Sequence, residues 1–560
     1  MDKKTWCETN FADELADCLP LPDSGAKEAS RWGVQRLPLE VVPDFPVVAA
    51  GTLFLLGIYG CVEEAGLLVR DRNMWFPLRL HWDIETSPSM LAETVERMAK
   101  EAGNFSWTRQ DAWETLGQEP GRGIALSPVD SLSQEEREGF VLIFQVADHG
   151  LSVSYAASCY TEAFIRTLLL SWREVILTFQ KAETLSMISV TADETMGLLD
   201  SFNKTERDYD RGATIIHQFC ARAAEMPDNV AVVYEDRSYT YGEVDDLSDR
   251  LAYWILQQGL GRGDTVSVFI PRSEYMVIAS LGVLKAGCAY EPLDPNYPDE
   301  RLSFMVKDAQ AKLMLVADSL LPRLENFKEF SGKWLRISEI VNLPQPVAET
   351  RRGIQLPQPE DLFTLIYTSG TTGVPKGVRL LHRNLMAYAA WYRRFFVPTS
   401  ASRITCYNSY GFDGSLTDIY PALTVGAAVV VIPEEKKLDL PALADIIRQH
   451  GVSIADLPSQ VGRQFSLTMD CPSLKYVVGG GEKLVPFTPV YPYIFSNEYG
   501  PTETTIAITC YNMTEYEADV PIGKPMDNTA IYIVDKLGHR VPPGALGELW
   551  VAGEQVSGGI

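Results

Sequence analysis

An α/β fold in more than one domain is what this sequence predicts, and three observations carry that expectation. After about residue 215, strand-like runs such as AVVY, VSVFI, LMLVA, FTLIYTS and AVVVIP alternate with helix-like segments such as GEVDDLSDRLAYWILQQ and LPALADIIRQHG, the pattern of parallel βαβ units. The chain's 560 residues exceed what one core of ordinary size organises. Its composition, 46% hydrophobic and 22% charged, is that of a globular protein and excludes extended disorder, collagen and coiled coil.

Taken in order, the elements begin with PVVAAGTLFLLGIYGCV, Pro46 to Val62, an apolar run that reads as a buried helix. A second helix is expected from Ser89 to Ala102, where Leu91, Val95 and Met98 recur at helical spacing. FVLIFQVA and HGLSVSYAA read as a β-hairpin turning at His149-Gly150, and TEAFIRTLLLSWREVILTFQKA after them as an amphipathic helix. Between Thr191 and Thr214 the pattern weakens into polar, turn-rich sequence, so the domain boundary is expected near Phe202 to Gly212. The alternating βαβ region follows. Towards the end, AIYIVDKLGHRVPPGALGELWVAGEQV changes to short strands with Pro-Pro-Gly and Gly turns, as in an antiparallel sheet or small barrel.

Charge and cysteine usage narrow the function classes. Forty-nine basic against 74 acidic residues give a formal net charge of -25, and no long basic run is present, so neither nucleic acid nor an anionic membrane is expected as principal partner. The nine cysteines are scattered, without a CxxC pair or a histidine at metal-ligand spacing, which suits a reducing cytoplasm. The opening residues lack the apolar core of a signal peptide, and no apolar run is long enough to span a bilayer. No fixed-period repeat is present.

The segment Tyr367-Thr-Ser-Gly-Thr-Thr-Gly-Val-Pro-Lys-Gly377 follows the apolar strand LFTLI directly. Such a loop offers unencumbered backbone N–H groups, several hydroxyls and one lysine to a polyphosphate. It is not the GxxxxGK[ST] loop, because Lys376 is preceded by proline and followed by glycine.

With this loop the sequence resembles the adenylate-forming superfamily, and more closely the amino-acid adenylation domains of nonribosomal peptide synthetases, over residues 215–560. Further motifs of that family stand in order: Tyr239-Thr-Tyr-Gly-Glu243, Leu284-Lys-Ala-Gly-Cys-Ala-Tyr-Glu-Pro-Leu-Asp-Pro295, Asn497-Glu-Tyr-Gly-Pro-Thr-Glu503 and Gly547-Glu-Leu-Trp-Val-Ala-Gly553. The resemblance implies ATP-dependent activation of an amino acid as its aminoacyl-adenylate, with ATP and Mg²⁺. Thr368, Ser369, Thr371, Thr372 and Lys376 would handle the β- and γ-phosphates, Tyr499 would lie against adenine and Asn497 would help read it, with Gly370, Gly373 and Gly500 also part of the ATP site. Thr502 would touch the α-phosphate and Glu503 would hold the metal, so Lys376, Thr502 and Glu503 are the expected catalytic residues. In-line attack on the α-phosphorus needs charge neutralisation and positioning rather than a protein nucleophile, which accounts for these residue types.

Asp413, in Ser409-Tyr-Gly-Phe-Asp-Gly-Ser415, matches the family's aspartate for the α-ammonium of the substrate. Read without the phosphate loop, it is more readily an N-cap for the segment SLTDIYPALTVG. Mapped from it, the side-chain pocket would comprise Gly414, Thr417, Gln460, Val478, Gly480, Glu498, Ile506 and Ala507. Thr417, Gln460 and Glu498 suit a polar, phenolic or basic side chain better than leucine or valine.

Residues 1–200 resemble the C-terminal lobe of a condensation domain, on Trp6 with Leu19-Pro20, Trp75-Phe-Pro-Leu-Arg79, GLSVSYAASCYTEAFIRTLLLSW and Ser201-Phe-Asn-Lys-Thr205, the last lying in a linker over 201–214. The six histidines include no adjacent pair, so the HHxxxDG motif is missing and peptide-bond formation is not expected. The expected fold class is therefore α/β: a partial condensation-type lobe, then the large N-terminal αβαβα core of an adenylate-forming enzyme with an incomplete β-barrel subdomain. The family's small C-terminal subdomain with its catalytic lysine cannot be placed, so the expectation is a truncated core of impaired activity. Phosphopantetheine would sit only on a peptidyl carrier partner, in trans or on a missing C-terminal part. An acyl- or aryl-CoA ligase and a non-catalytic fragment are the alternatives.

Overall fold

The computed structural model describes residues 2–11, 32–71, 74–117, 123–128, 132–147, 150–328, 330–347, 354–369 and 374–560. Leu19-Pro20, His149 and the loop tip Gly370, Thr371, Thr372 and Gly373 lie outside the described residues. The chain divides into two compact units, Met1–Asn203 with Ile531–Trp550, and Lys204–Ala530 with Val551–Ile560.

The first unit holds a six-stranded sheet in the spatial order Trp32–Pro38, Gly150–Ala156, Phe140–Ala147, Gly123–Ser127, Glu64–Asp71 and Met74–His81. Its three central strands run parallel and the outer pairings are antiparallel. The expected apolar helix is Phe45–Gly60, buried on nearly its whole circumference, which is why it carries no polar face. Pro46 occupies its first turn, and it ends where Cys61 turns left-handed at φ 56°. The helix Glu162–Phe179 starts from Thr161, whose hydroxyl accepts from the Phe164 N–H. Trp172 Nε1 donates to Thr52 Oγ1 at 2.9 Å, which satisfies a buried indole and ties these two helices together.

The second unit contains two largely parallel sheets. One runs Lys333–Arg336, Leu313–Val316, Thr265–Phe269, Ala289–Leu293 and Leu362–Ser369, all parallel, with Pro375–Leu381 antiparallel at the edge. The other has nine strands, the parallel series Ile494–Tyr499, Tyr476–Gly479, Ile454–Asp456, Arg403–Cys406, Ala428–Val431 and Val230–Tyr234 being flanked by antiparallel ones. The alternating sequence runs are these strands, predominantly apolar because helices cover both faces of parallel sheets. Thr529–Val534 and Glu548–Gly553 form a separate two-stranded sheet. No helix among the described residues is long and apolar enough to cross a membrane.

Two of the sequence motifs prove to be architectural. In Tyr239-Thr-Tyr-Gly-Glu243, Thr240 and Glu243 form a reciprocal capping box at the start of the helix Tyr241–Gln257. In Leu284-Lys-Ala-Gly, Lys285 is buried and bonds Asp245 and Asp249 on that same helix.

Glu291 sits in the middle of the first sheet with no exposed surface. Ser267 Oγ donates to its Oε2 at 2.5 Å, whereas its Oε1 has no partner among the described residues. Burial pushes this carboxyl up to about 8, the Ser267 hydrogen bond opposing and Asp308 adding to the shift. The folded value lies above the unfolded one of about 4.3, so stability falls as pH rises from there towards about 8. Glu291→Gln cannot ionise and is expected to be more stable than the parent at pH 8 by about 4–5 kcal/mol. The gap should shrink to about 1 kcal/mol at pH 5, as melting curves at both pH values will report; an equal gap at both would contradict the assignment.

Candidate active site

The expected phosphate loop is the tip of the hairpin made by Leu362–Ser369 and Pro375–Leu381. Thr368 pairs directly with Lys376, and Ser369 with Pro375, so the two hydroxyls and the ammonium flank the tip. Lys376 makes no ion pair among the described residues and is partly exposed, leaving its charge available to a polyanion.

A second group comes from the strand Ile494–Tyr499 and the segment after it. Asn497 is buried and donates from Nδ2 to the Pro521 carbonyl at 3.1 Å, while Tyr499 at the strand end is 42% exposed and free to lie against a flat ring. Gly500 approaches Ala507 so closely that a Cβ there would stand 2.5 Å from the Ala507 Cα, so only glycine fits. Thr502 and Glu503 open the single turn Thr502–Thr504. Thr505 and Ile506 then adopt left-handed backbones, φ 57° and 73°, which for β-branched residues costs on the order of 1–3 kcal/mol each.

Gln555, 1% exposed, holds this strained turn. Its Nε2 donates to the Ala507 carbonyl at 2.6 Å, its own carbonyl accepts from Thr505 Oγ1 at 2.6 Å, and its Oε1 accepts from Thr529 Oγ1 at 3.1 Å. Sequence reasoning missed Gln555, because nothing local links it to a turn some fifty residues earlier.

Beside these elements lies a cavity of about 420 Å³. Asp413, Gly414, Val478, Gly480, Glu498, Ile506 and Ala507 all line it, together with Gly500. Asp413 occupies the N-cap position of the helix Gly414–Val425, yet its side chain makes no capping hydrogen bond, so capping does not account for it. Burial raises the Asp413 carboxyl to about 6, the Thr502 hydroxyl and the Gly414 N–H opposing this and Glu503 reinforcing it.

Two of the expected pocket residues stand elsewhere. Thr417 is buried behind the wall, its Oγ1 donating to Tyr388 Oη at 3.0 Å, and Tyr388 in turn donates to Glu498 Oε2 at 3.1 Å. Gln460 lies in the first turn of the helix Ser459–Thr468, its side-chain amide aimed at the Lys483 carbonyl. Asp456, at the carboxyl end of the strand Ile454–Asp456, lines the cavity and Gln460 does not. In open α/β sheets ligands meet the carboxyl ends of strands, and that rule applied to the run before Leu457-Pro458 is the signal that finds Asp456.

Among the described residues, no group of three or more His, Cys, Asp or Glu forms a metal cage. A cation that arrives on a nucleotide needs only one or two protein carboxylates, the phosphates supplying other ligands, so Glu503 beside Thr502 fits Mg²⁺ carried in by a triphosphate.

Comparison with known proteins follows the same line. The chain is 32% identical over 446 residues to bacitracin synthase 1 of Bacillus licheniformis, a match covering 78% of this chain and 8% of that protein. It is 32% identical over 378 residues to tyrocidine synthase 2 of Brevibacillus parabrevis, covering 66% and 10%. The chain therefore spans a tenth or less of the length of these relatives. A four-domain nonribosomal peptide synthetase solved with AMP and glycine superposes with a TM-score of 0.84 at 18% identity, over 99% of this chain and 47% of that one. The nonribosomal peptide synthetase FmoA3 with α-methyl-L-serine-AMP gives 0.78 at 19% identity, over 99% and 69%. These likenesses establish the fold that the sequence predicted. Residues 219–560 match the AMP-binding enzyme family, and with the hairpin, the strained turn and the cavity in place, the chain belongs to that family.

Proposed function

We propose that this chain activates an amino acid with Mg·ATP, giving an aminoacyl-adenylate and pyrophosphate, as the adenylation unit of a nonribosomal peptide synthetase. The observation that carries the reading is Asp413: a carboxylate facing the cavity, close enough to Thr502 and Glu503 to respond to both. It offers an anion to an α-ammonium where the nucleotide-binding segment ends, which brings the substrate carboxylate towards the α-phosphate.

The substrate carboxylate oxygen attacks the α-phosphorus; the new P–O bond forms as the α–β bridging P–O bond breaks, and pyrophosphate leaves with that electron pair. Lys376, Thr368 and Ser369 neutralise the departing phosphates, Thr502 contacts the α-phosphate, and Tyr499 and Asn497 hold the adenine. Mg²⁺, held by Glu503, would supply charge neutralisation. The adenylate would pass to the phosphopantetheine of a peptidyl carrier partner, in the cytoplasm, where ATP is available. The first unit is read as the C-terminal lobe of a condensation domain acting as a platform; the match of two solved synthetases over 99% of this chain supports that reading.

The test is amino-acid-dependent ATP–pyrophosphate exchange across a panel, with thermal shift by Mg·ATP alongside. Exchange with at least one amino acid is expected. A folded chain that neither exchanges nor gains stability from Mg·ATP would sink the proposal.

A further inference from the structure

The cavity is acidic, and its acids come from separate elements. Asp413 stands before the helix Gly414–Val425, Asp456 ends the strand Ile454–Asp456, and Glu498 lies within the strand Ile494–Tyr499. Glu498 is 7% exposed and lines the cavity. Tyr388 satisfies its Oε2, but its Oε1 has no hydrogen-bond partner among the described residues. Asp456 receives one bond, from Asn408 Nδ2 at 3.2 Å, and Asn408 also reaches Asp418 Oδ1 at 3.3 Å.

The neighbouring cations are engaged elsewhere. Arg272 donates to the carbonyls of Cys406, Tyr407 and Asn408 and pairs with Glu434. Lys437 lines the cavity, with its Nζ 3.5 Å from Glu434 and 5.1 Å from the centre of the Tyr407 ring. Neither forms an ion pair with Asp456 or Glu498 among the described residues.

If Asp413 takes the α-ammonium, Asp456 and Glu498 still lack a counter-charge, whereas the fourth acid of the lining, Glu482, is solvent-exposed. An aliphatic side chain would leave them desolvated and unpaired. A phenol or a carboxamide would offer hydrogen bonds but no charge. An ammonium or guanidinium supplies both, with three or five N–H donors.

From this geometry we infer that the side-chain cavity takes a cationic amino acid, one with a second amine or a guanidine, bound between Asp456 and Glu498. The inference rests on the adenylation reading for the place of the α-ammonium. Burial first raises both above the ordinary carboxylate range; the Asn408 bond opposes the shift of Asp456 and Asp413 adds to it, while Asp456 adds to that of Glu498 and the Tyr388 bond opposes it. A cation entering the cavity reverses that effect and displaces protons. Thr417 acts as a positioning residue, orienting Glu498 through Tyr388.

The test uses the whole chain and matched pairs of amino acids: ornithine and lysine against norleucine, and arginine against citrulline, with tyrosine and glutamine beside them. Two readouts are taken on each, thermal shift by the amino acid and pyrophosphate exchange with Mg·ATP. The cationic member of each pair is expected to exchange at least about tenfold better in kcat/KM and to stabilise the chain more. Glu498→Gln and Asp456→Asn should each erase most of that preference, chiefly through KM. Selective stabilisation by the cationic members, with neither exchange from any amino acid nor stabilisation by Mg·ATP, would sink the adenylation reading and keep the pocket assignment. A best substrate among tyrosine, glutamine or norleucine, or no selective stabilisation by a cationic member, overturns the inference whether or not the variants fold.

Discussion

Asparagine in place of Asp413 is expected to lower kcat/KM for amino-acid-dependent pyrophosphate exchange by roughly 30-fold to a few thousand-fold. That range corresponds to about 2–5 kcal/mol, the usual loss when one partner of a buried charge pair is removed. The substitution keeps the shape of the side chain and an acceptor for Thr502, so it removes charge alone. It also separates the two readings of the residue, because asparagine caps helices as well as aspartate does. A capping role would leave the kinetics unchanged, and the absence of a capping bond at Asp413 already argues against it. Stabilisation by Mg·ATP alone should persist in the variant, since in the proposed reaction Asp413 meets the amino acid rather than the nucleotide. Unchanged kinetics in the folded variant would remove the α-ammonium role.

Methionine at Lys285 should destabilise the second unit by about 3–5 kcal/mol, the cost of leaving buried partner charges uncompensated. Lys285 ends the helix Tyr275–Lys285 with 1% exposure, and its Nζ lies 2.5 Å from Asp245 Oδ1 and 2.6 Å from Asp249 Oδ1. Burial alone would lower its pKa, but Cys220, Asp245 and Asp249 together hold it above the ordinary lysine value. The charge is therefore kept in the folded state. Denaturant titration of Lys285→Met should show an earlier midpoint, and adding Asp245→Asn with Asp249→Asn should recover much of the loss, because a matched neutral set leaves no orphan charge. No recovery in the triple variant would mean that the helix contact depends on the lysine stem rather than its charge.

These effects bear on how far the residues could be read in advance. The helix Phe45–Gly60 was legible because its apolar run and the proline in its first turn are local signals. The strand before the phosphate loop was legible for the same reason, an apolar run standing directly before a Gly/Thr-rich segment, whereas its antiparallel pairing with Pro375–Leu381 came from the structure. Asp413 was legible as a position within a motif, but its role was not, since N-cap and ligand are told apart only by where the carboxylate points. Gln460 and Asp456 show the opposite limit. They lie four residues apart, both polar, and the side facing the cavity depends on where the strand Ile454–Asp456 stops and the helix Ser459–Thr468 begins.

What the sequence determined by itself is the α/β class, the order of strands and helices and the family, because periodicity, turn residues and motifs are properties of neighbours along the chain. Only the tertiary structure decided which polar groups became part of the site. It put Thr417 behind the cavity wall rather than in it, pinned Thr505 and Ile506 in left-handed backbones through Gln555, and gathered Asp413, Asp456 and Glu498 around one cavity. Burial and the proximity of like charges set how these groups behave, and both arise only when distant segments pack together.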